Sequence, residues 1–336
     1  MNGDCITMAH GEGGRMTSEL ISGLFARYFH NPELEPLDDA AVLPKPEGRL
    51  AFTTDGYVIR PIFFPGGDIG KLAVCGTVND LAVMGADPMY LTCGAIIAEG
   101  FAMDALERIT ASMAVAASEA GVRIVAGDTK VVEKGAADGI FLNTAGVGVI
   151  TDNVILGTQL IEESDLVIVN GPLGDHSLAV LSARNELGIQ SDIKSDCAPL
   201  NGMIRELLES CREVHFMRDL TRGGLGGVLN EVAKSIDRTI IIEEKALPVR
   251  PEVRAACEIL GISSLFMANE GKIGIFCSPD SESRVMDVLE KSPYGQGAAV
   301  VGRVATKASA PVLIETLLGG CRVVETPAGA QLPRIC

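Results

Sequence analysis

A chain of 336 residues with 47% hydrophobic residues holds enough apolar mass for one large core or two ordinary ones, and its length predicts two domains. Lys and Arg number 28 against 44 Asp and Glu, a formal charge of −16 with no basic cluster, which excludes nucleic acid and anionic membranes as partners. An anionic small molecule such as a nucleotide remains compatible, provided that glycine-loop amides, helix N-termini or a divalent cation neutralise it locally.

The nine cysteines, at 5, 75, 93, 197, 211, 257, 277, 321 and 336, form no C-x-x-C pair and read mostly as small core hydrophobes in a reducing compartment. No basic segment followed by an apolar run opens the sequence, and no apolar stretch nears the ~18 residues needed to span a bilayer, so a cytoplasmic location is expected. Tryptophan is absent and aromatics are 4%, which leaves no stacking platform for single strands. His10, His30, His176 and His215 form no zinc pattern.

The first motif is His10-Gly-Glu-Gly-Gly-Arg15, ahead of the helical pattern Leu20, Ile21, Leu24, Phe25, Phe29. It is either a simple turn or a lid whose amides face phosphate. Asp38-Asp39 precedes an apolar strand over 49–55 that ends in Asp55. A helix is predicted over 68–85, packing through Ile69, Leu72, Ala73, Gly76, Val83 and Met84, with Asn79-Asp80 near its end. Asp39, Asp55 and Asp80 each sit beside small or apolar neighbours, where an unpaired carboxylate is costly to keep ionised. Hard oxygen ligands of this kind suit Mg2+ held jointly by protein and phosphates.

A strand over 88–98, a helix over 102–120 and a strand over 122–126 follow. That strand leads into an expected turn, Gly127-Asp128-Thr129-Lys130. Lys130 balances the surrounding acids, meets phosphate, or accepts a proton if burial lowers its pKa. The strand 139–150 closes the first half. The second half is expected to hold a buried strand at 166–169, helices over 177–187 and 199–211, and the segment Met217-Arg-Asp-Leu-Thr-Arg-Gly-Gly-Leu-Gly-Gly227. This last segment is either a phosphate cradle at a helix start or a helix that needs glycine for close packing. A strand at 240–242, a helix over 251–260, the turn Ala268-Asn-Glu-Gly271 before a strand over 272–277, a helix over 281–291, a strand over 298–305 and a terminal pair near 311–316 and 321–325 complete the body. Glu270 stands alone at a strand mouth.

The last stretch, from Thr326, has two prolines and a glycine and no periodicity, and it ends in Ile335 and Cys336. It reads as an extended arm able to carry a thiol to a site and withdraw it, against the plainer reading of a frayed terminus.

Phe52-Thr-Thr-Asp-Gly-Tyr-Val-Ile-Arg60, Phe63-Phe-Pro-Gly-Gly67, Gly70-Lys-Leu-Ala-Val-Cys-Gly76, Gly127-Asp-Thr-Lys-Val-Val132, Arg218-Asp-Leu-Thr-Arg-Gly-Gly224, Asn269-Glu-Gly-Lys272 and Pro333-Arg-Ile-Cys336 together resemble the HypE carbamoyl dehydratases of nickel-iron hydrogenase maturation. The resemblance spans nearly the whole chain and is most specific at the last four residues. That family is similar to aminoimidazole ribonucleotide synthetase and selenophosphate synthetase, ATP-using dimers. The resemblance implies a two-domain α/β (α+β) fold of the aminoimidazole ribonucleotide synthetase type. The implied parts are a glycine-rich cover and helix at 1–37, an ATP-binding and dimerisation domain at 38–152, a C-terminal domain at 153–325 and a flexible arm at 326–336. N-terminal domains would pair across a homodimer, with ATP in a cleft between domains. Asp39, Asp55, Asn79, Asp80, Asp128, Lys130 and Asp219 would bind the nucleotide, with Asp39, Asp55, Asp80 and Asp219 holding Mg2+ on it.

The reaction implied by the resemblance starts with a HypF-type carbamoyltransferase placing a carboxamide on Cys336. ATP then phosphorylates the carboxamide oxygen, and loss of two protons and phosphate leaves a thiocyanate, whose cyanide passes to a HypC-HypD iron scaffold. Glu270 would take the first proton and Lys130 the second. Two other functions compete. A small-molecule ATP ligase or kinase of the same superfamily would not need Cys336, and an acidic scaffold with a docking tail would not respond to nucleotide.

Overall fold

The computed structural model describes residues 5–184, 188–327 and 329. A helical stretch opens it, built from α1 (Arg15–Leu20), a π-helical turn (Ile21–Phe25) and α2 (Ala26–Tyr28), with Leu20 and Leu24 fully buried as their spacing predicts. The first half continues with β1 (Arg49–Tyr57), the short strands β2 (Phe63–Phe64) and β3 (Gly67–Asp68), α3 (Ile69–Val83), β4 (Asp87–Ala98), α4 (Met103–Ala120), β5 (Arg123–Val132) and β6 (Ile140–Ile150). The main sheet has the order β1-β6-β4-β5, antiparallel except for the β4 and β5 pair.

Residues alternate along β1. Ala51, Thr53, Asp55 and Tyr57 turn inward, while Leu50, Phe52, Thr54 and Gly56 are exposed. Period two thus places the strand's polar chemistry, Thr53, Asp55 and Tyr57, on the side where α3 packs. The other side shows apolar groups to solvent: Phe52 is 71% exposed and Leu50 64%.

The second half comprises β7 (Leu166–Val169), α5 (Asp175–Arg184), α6 (Asn201–Ser210), β8 (Val214–Asp219), α7 (Gly224–Ile236), β9 (Thr239–Glu243), α8 (Pro251–Leu260), β10 (Ile273–Cys277), α9 (Glu282–Lys291), β11 (Ala299–Ala305), β12 (Val312–Glu315) and β13 (Cys321–Val323). Its seven strands run in the order β13-β12-β9-β11-β7-β10-β8, with β9 and β12 the parallel pair. Interior strand β10 is buried at every position, which explains its unbroken apolar sequence. One core, with Leu225, Leu229 and Phe276, lies beneath α7. A second lies beneath α6 and α9 and takes in Ala82 and Val83 from α3.

Helix α3 therefore belongs to both halves. It is capped by Asp68, whose carboxylate accepts from the N–H groups of Gly70 and Lys71 at 2.7 and 3.1 Å. Nearly every residue after the cap is buried, so the helix is apolar all round, as a central helix must be. Full burial of Ile69, Leu72 and Leu81 contributes roughly 1.5–3 kcal/mol each. Gly76 lets Tyr57 approach: a Cβ there would stand 2.4 Å from the Tyr57 hydroxyl oxygen.

Three expectations change. The segment 127–130 is not a turn but the middle of β5, where Asp128 pairs with Gly94 and Lys130 with Ile96 of β4. Gly127 marks close strand approach, since a Cβ there would meet the Cys93 carbonyl oxygen at 2.6 Å. Met84 is half exposed just beyond α3 instead of packing. Strand β8 was not anticipated. Helix α5 begins at Asp175, and residues 185–187 of the expected helix lie outside the described residues. No helix among the described residues is long and apolar enough to cross a membrane.

Candidate active site

A cleft of about 400 Å³ opens where β1, α3, the end of β8 and the turn before β10 meet. Asp55 and Thr53 enter it from β1, Asp80 from the last turns of α3, Asp219 from the end of β8, and Glu270 from the turn. Arg218, Thr221 and Arg222 line the side leading to α7. Four of the carboxylates singled out in the sequence thus converge between the two halves.

Three of the four hold their protons more tightly than usual, first through burial and then through one another's charge. Burial, followed by the nearby Asp219 carboxylate, pushes Asp80 up to about 6, although Thr53 donates a hydrogen bond to Asp80 Oδ2 at 3.0 Å. Burial likewise raises Asp219, with Asp55 adding to the effect. Glu270, only 5% exposed, is held well above the ordinary carboxylate range, first by burial and then by Cys197, Asp196, Asp219 and Asp55. A cation entering the cleft would relieve this crowding.

The crowding gives a stability prediction. Folded Asp80 holds its proton more tightly than the unfolded chain, so ligand-free stability falls as pH rises from about 4 to about 6 and stays reduced above that window. Asp80→Asn carries no charge at any pH. In chelator, with no nucleotide, it is expected to match wild type near pH 4 and to exceed it by about 1–2 kcal/mol at pH 8, after allowance for partial exposure. Urea unfolding at the two pH values measures this.

Glu270 is anchored on all sides. Its N–H donates to Asp196 Oδ1 at 3.0 Å, and its carbonyl accepts from Asn79 Nδ2 at 3.3 Å. The preceding Asn269 donates to the Leu220 and Met267 carbonyls and accepts from the Gly174 N–H. The following Gly271 carbonyl accepts from Asn170 Nδ2 at 3.1 Å and from Lys272 Nζ at 3.0 Å. A Cβ on Gly271 would lie 2.0 Å from the Asp196 carbonyl oxygen, so only glycine fits.

The remaining predicted residues lie elsewhere. Asn79 is 3% exposed, and its amide is used up in bonds to the Ala198 and Glu270 carbonyls and the Leu200 N–H. It ties α3 to the second half. Asp39, Asp128 and Lys130 line a separate groove of about 590 Å³ that runs beside Gly11 and Gly13 of the glycine-rich segment. The expected set of four Mg2+ carboxylates is therefore split, and among the described residues no three His, Cys, Asp or Glu side chains are grouped to hold a metal ion.

Lys130 is exposed and paired with Asp128 at 2.9 Å, which lowers the Asp128 carboxyl. The burial that a neutral lysine base requires is not supplied within one chain. Lys130 also borders a smaller depression that shares Gly56 and Tyr57 with the cleft holding Glu270. Cys336 and most of the arm lie outside the described residues.

Sequence reasoning missed Thr53 and Tyr57, though both follow from period two around Asp55, and it missed Asp196, for which no local signal exists.

Two mixed domains meeting over an acidic cleft match the models of AIR synthase related proteins, the N-terminal domain at residues 37–150 and the C-terminal domain at 162–313. The chain is 47% identical to the carbamoyl dehydratase HypE of Rhodobacter capsulatus, over 98% of each chain. It superposes on a crystal structure of the hydrogenase maturation protein HypE in complex with ATP with a TM-score of 0.94, at 45% identity, covering 98% of this chain and 99% of that one. A HypE chain from a HypE-HypF complex matches with a TM-score of 0.80 at 45% identity, covering 92% and 99%. Within the AIR synthase related proteins, the chain belongs to the HypE carbamoyl dehydratases.

Proposed function

We propose that this chain converts a carboxamide on its own Cys336 to a thiocyanate with ATP, supplying cyanide ligands for nickel-iron hydrogenase assembly. The observation carrying this reading is the buried Glu270, its peptide held from both halves, facing Asp55, Asp80 and Asp219 across one cleft, in a chain 47% identical to a carbamoyl dehydratase. The likeness to a HypE bound to ATP supports nucleotide as the ligand.

The residues fit Mg-ATP. Asp55, Asp80 and Asp219 would hold Mg2+ together with phosphate oxygens, which explains why side chains alone do not complete a metal site. Arg218, Arg222 and the first amides of α7 would meet the phosphates. When bound, Mg-ATP supplies the phosphoryl group that turns the carboxamide oxygen into a leaving group. Glu270 accepts the first proton from the carboxamide nitrogen; burial, which raises its pKa, makes its carboxylate a stronger base than a free one. Lys130 takes the second proton or contacts phosphate, and Tyr57 stands on the wall between the two.

A HypF-type carbamoyltransferase loads Cys336, as the HypE-HypF complex supports, and a HypC-HypD complex receives the cyanide. The exposed Leu50, Phe52 and Ile96 on the outer side of the first sheet fit a homodimer formed through that surface. Single-turnover phosphate release tests the reading. Carbamoylated chain is expected to release one phosphate per chain from ATP and unmodified chain none; equal release from both would contradict it.

A further inference from the structure

Asp196 lies in the segment that crosses from the second half to the first. The Ser195 N–H donates to the Pro65 carbonyl at 2.7 Å, and the Leu200 N–H donates to Asn79 Oδ1 at 2.8 Å. The Asp196 side chain is 4% exposed and does two things there. One oxygen accepts from the Glu270 N–H at 3.0 Å, and the other pairs with Lys272 Nζ at 3.3 Å. Lys272 in turn donates to the Gly271 carbonyl. Asp196 therefore grips the peptide unit before the Glu270 α-carbon directly, and reaches the unit after the Gly271 α-carbon through Lys272. Asn79 holds the Glu270 carbonyl from the other half.

A buried ion pair carries a desolvation cost that hydrophobic residues would avoid, so its presence here is weak evidence for stability alone. Its placement fits a different role. A base must reach the proton it removes within hydrogen-bond distance, and small misplacement costs rate steeply.

We propose that Asp196 is a positioning residue for Glu270, fixing its peptide through the N–H bond. The inference rests on the reading of Glu270 as the base. Neither Asp196 nor Lys272 lines the acidic cleft.

The test holds charge balance constant and changes only the acceptor. Asp196→Asn with Lys272→Met keeps an oxygen for the Glu270 N–H; Asp196→Ala with Lys272→Met removes it. With carbamoylated protein and Mg-ATP, the first double variant is expected to dehydrate within about threefold of wild type. The second is expected to fall by about 10²-fold, with ATP affinity unchanged in both. Equal rates in the two doubles, with Glu270→Gln inactive in the same assay, overturn the positioning role alone; an active Glu270→Gln overturns the base reading beneath it. Should either double fail to fold, amide hydrogen exchange on the wild-type protein decides. The Glu270 N–H is expected among the slowest in the chain, and exchange at the rate of surface amides overturns the proposal.

Discussion

Glu270→Gln is expected to bind Mg-ATP as wild type does and to dehydrate carbamoylated protein about 10²–10⁴-fold more slowly. Glutamine keeps the volume and the backbone bonds to Asp196 and Asn79 but cannot accept a proton from nitrogen. Arg218 and Arg222, proposed to meet the phosphates, line the side of the cleft that leads to α7. The substitution should not harm the fold. Burial raises the Glu270 pKa, so the ionised form costs stability as pH rises above the unfolded carboxylate value, and neutral glutamine removes that cost. At pH 8 the variant is therefore expected to melt no lower than wild type. Rapid-quench single turnovers, isothermal titration with nucleotide and a melting curve separate the three properties. A Glu270→Gln protein that dehydrates at the wild-type rate places the base elsewhere.

Cys336→Ala is expected to abolish both carbamoylation and ATP-coupled dehydration, a loss without partial activity because the substrate atom itself is gone. The cleft is built from residues 51–57, 76–84, 218–222 and Glu270, none near position 336 in sequence, so ATP affinity should be unchanged. A small-molecule ligase or kinase of the same superfamily would keep turning over without this thiol. Turnover by Cys336→Ala on any added carboxylate or amine acceptor would favour that alternative.

Much of the fold was legible because its elements are long and periodic. Helix α4 follows its stripe of Leu106, Ile109, Met113 and Ala117, and β6 follows strict alternation, so both appear where expected. Strand β8 was not legible, because His215 breaks its apolar residues and the signal of its end, Arg218-Asp219 before a glycine-rich helix, masks the rest. Gly127 misled for a physical reason: glycine serves a turn and a close strand approach equally, and only the contact with Cys93 decides between them. Asp55, Asp80, Asp219 and Glu270 were legible as carboxylates at element ends. Their convergence depends on how α3 seats both halves, which no local pattern encodes. The bonds of Asn79 were not legible for the same reason: adjacent to Asp80 in sequence, its amide reaches the second half. The hold of Asp196 on Glu270 joins residues 74 apart in sequence and could be seen only in three dimensions.

The most direct measurement is the intact mass of the wild-type chain, first loaded by a HypF-type carbamoyltransferase with carbamoyl phosphate and ATP, then desalted and given fresh Mg-ATP. One carbamoyl mass should appear on the chain, be localised by digestion to the peptide ending in Cys336, and then decrease by one water as phosphate is released. A chain that consumes ATP while the carbamoyl mass stays unchanged would contradict dehydration at this thiol.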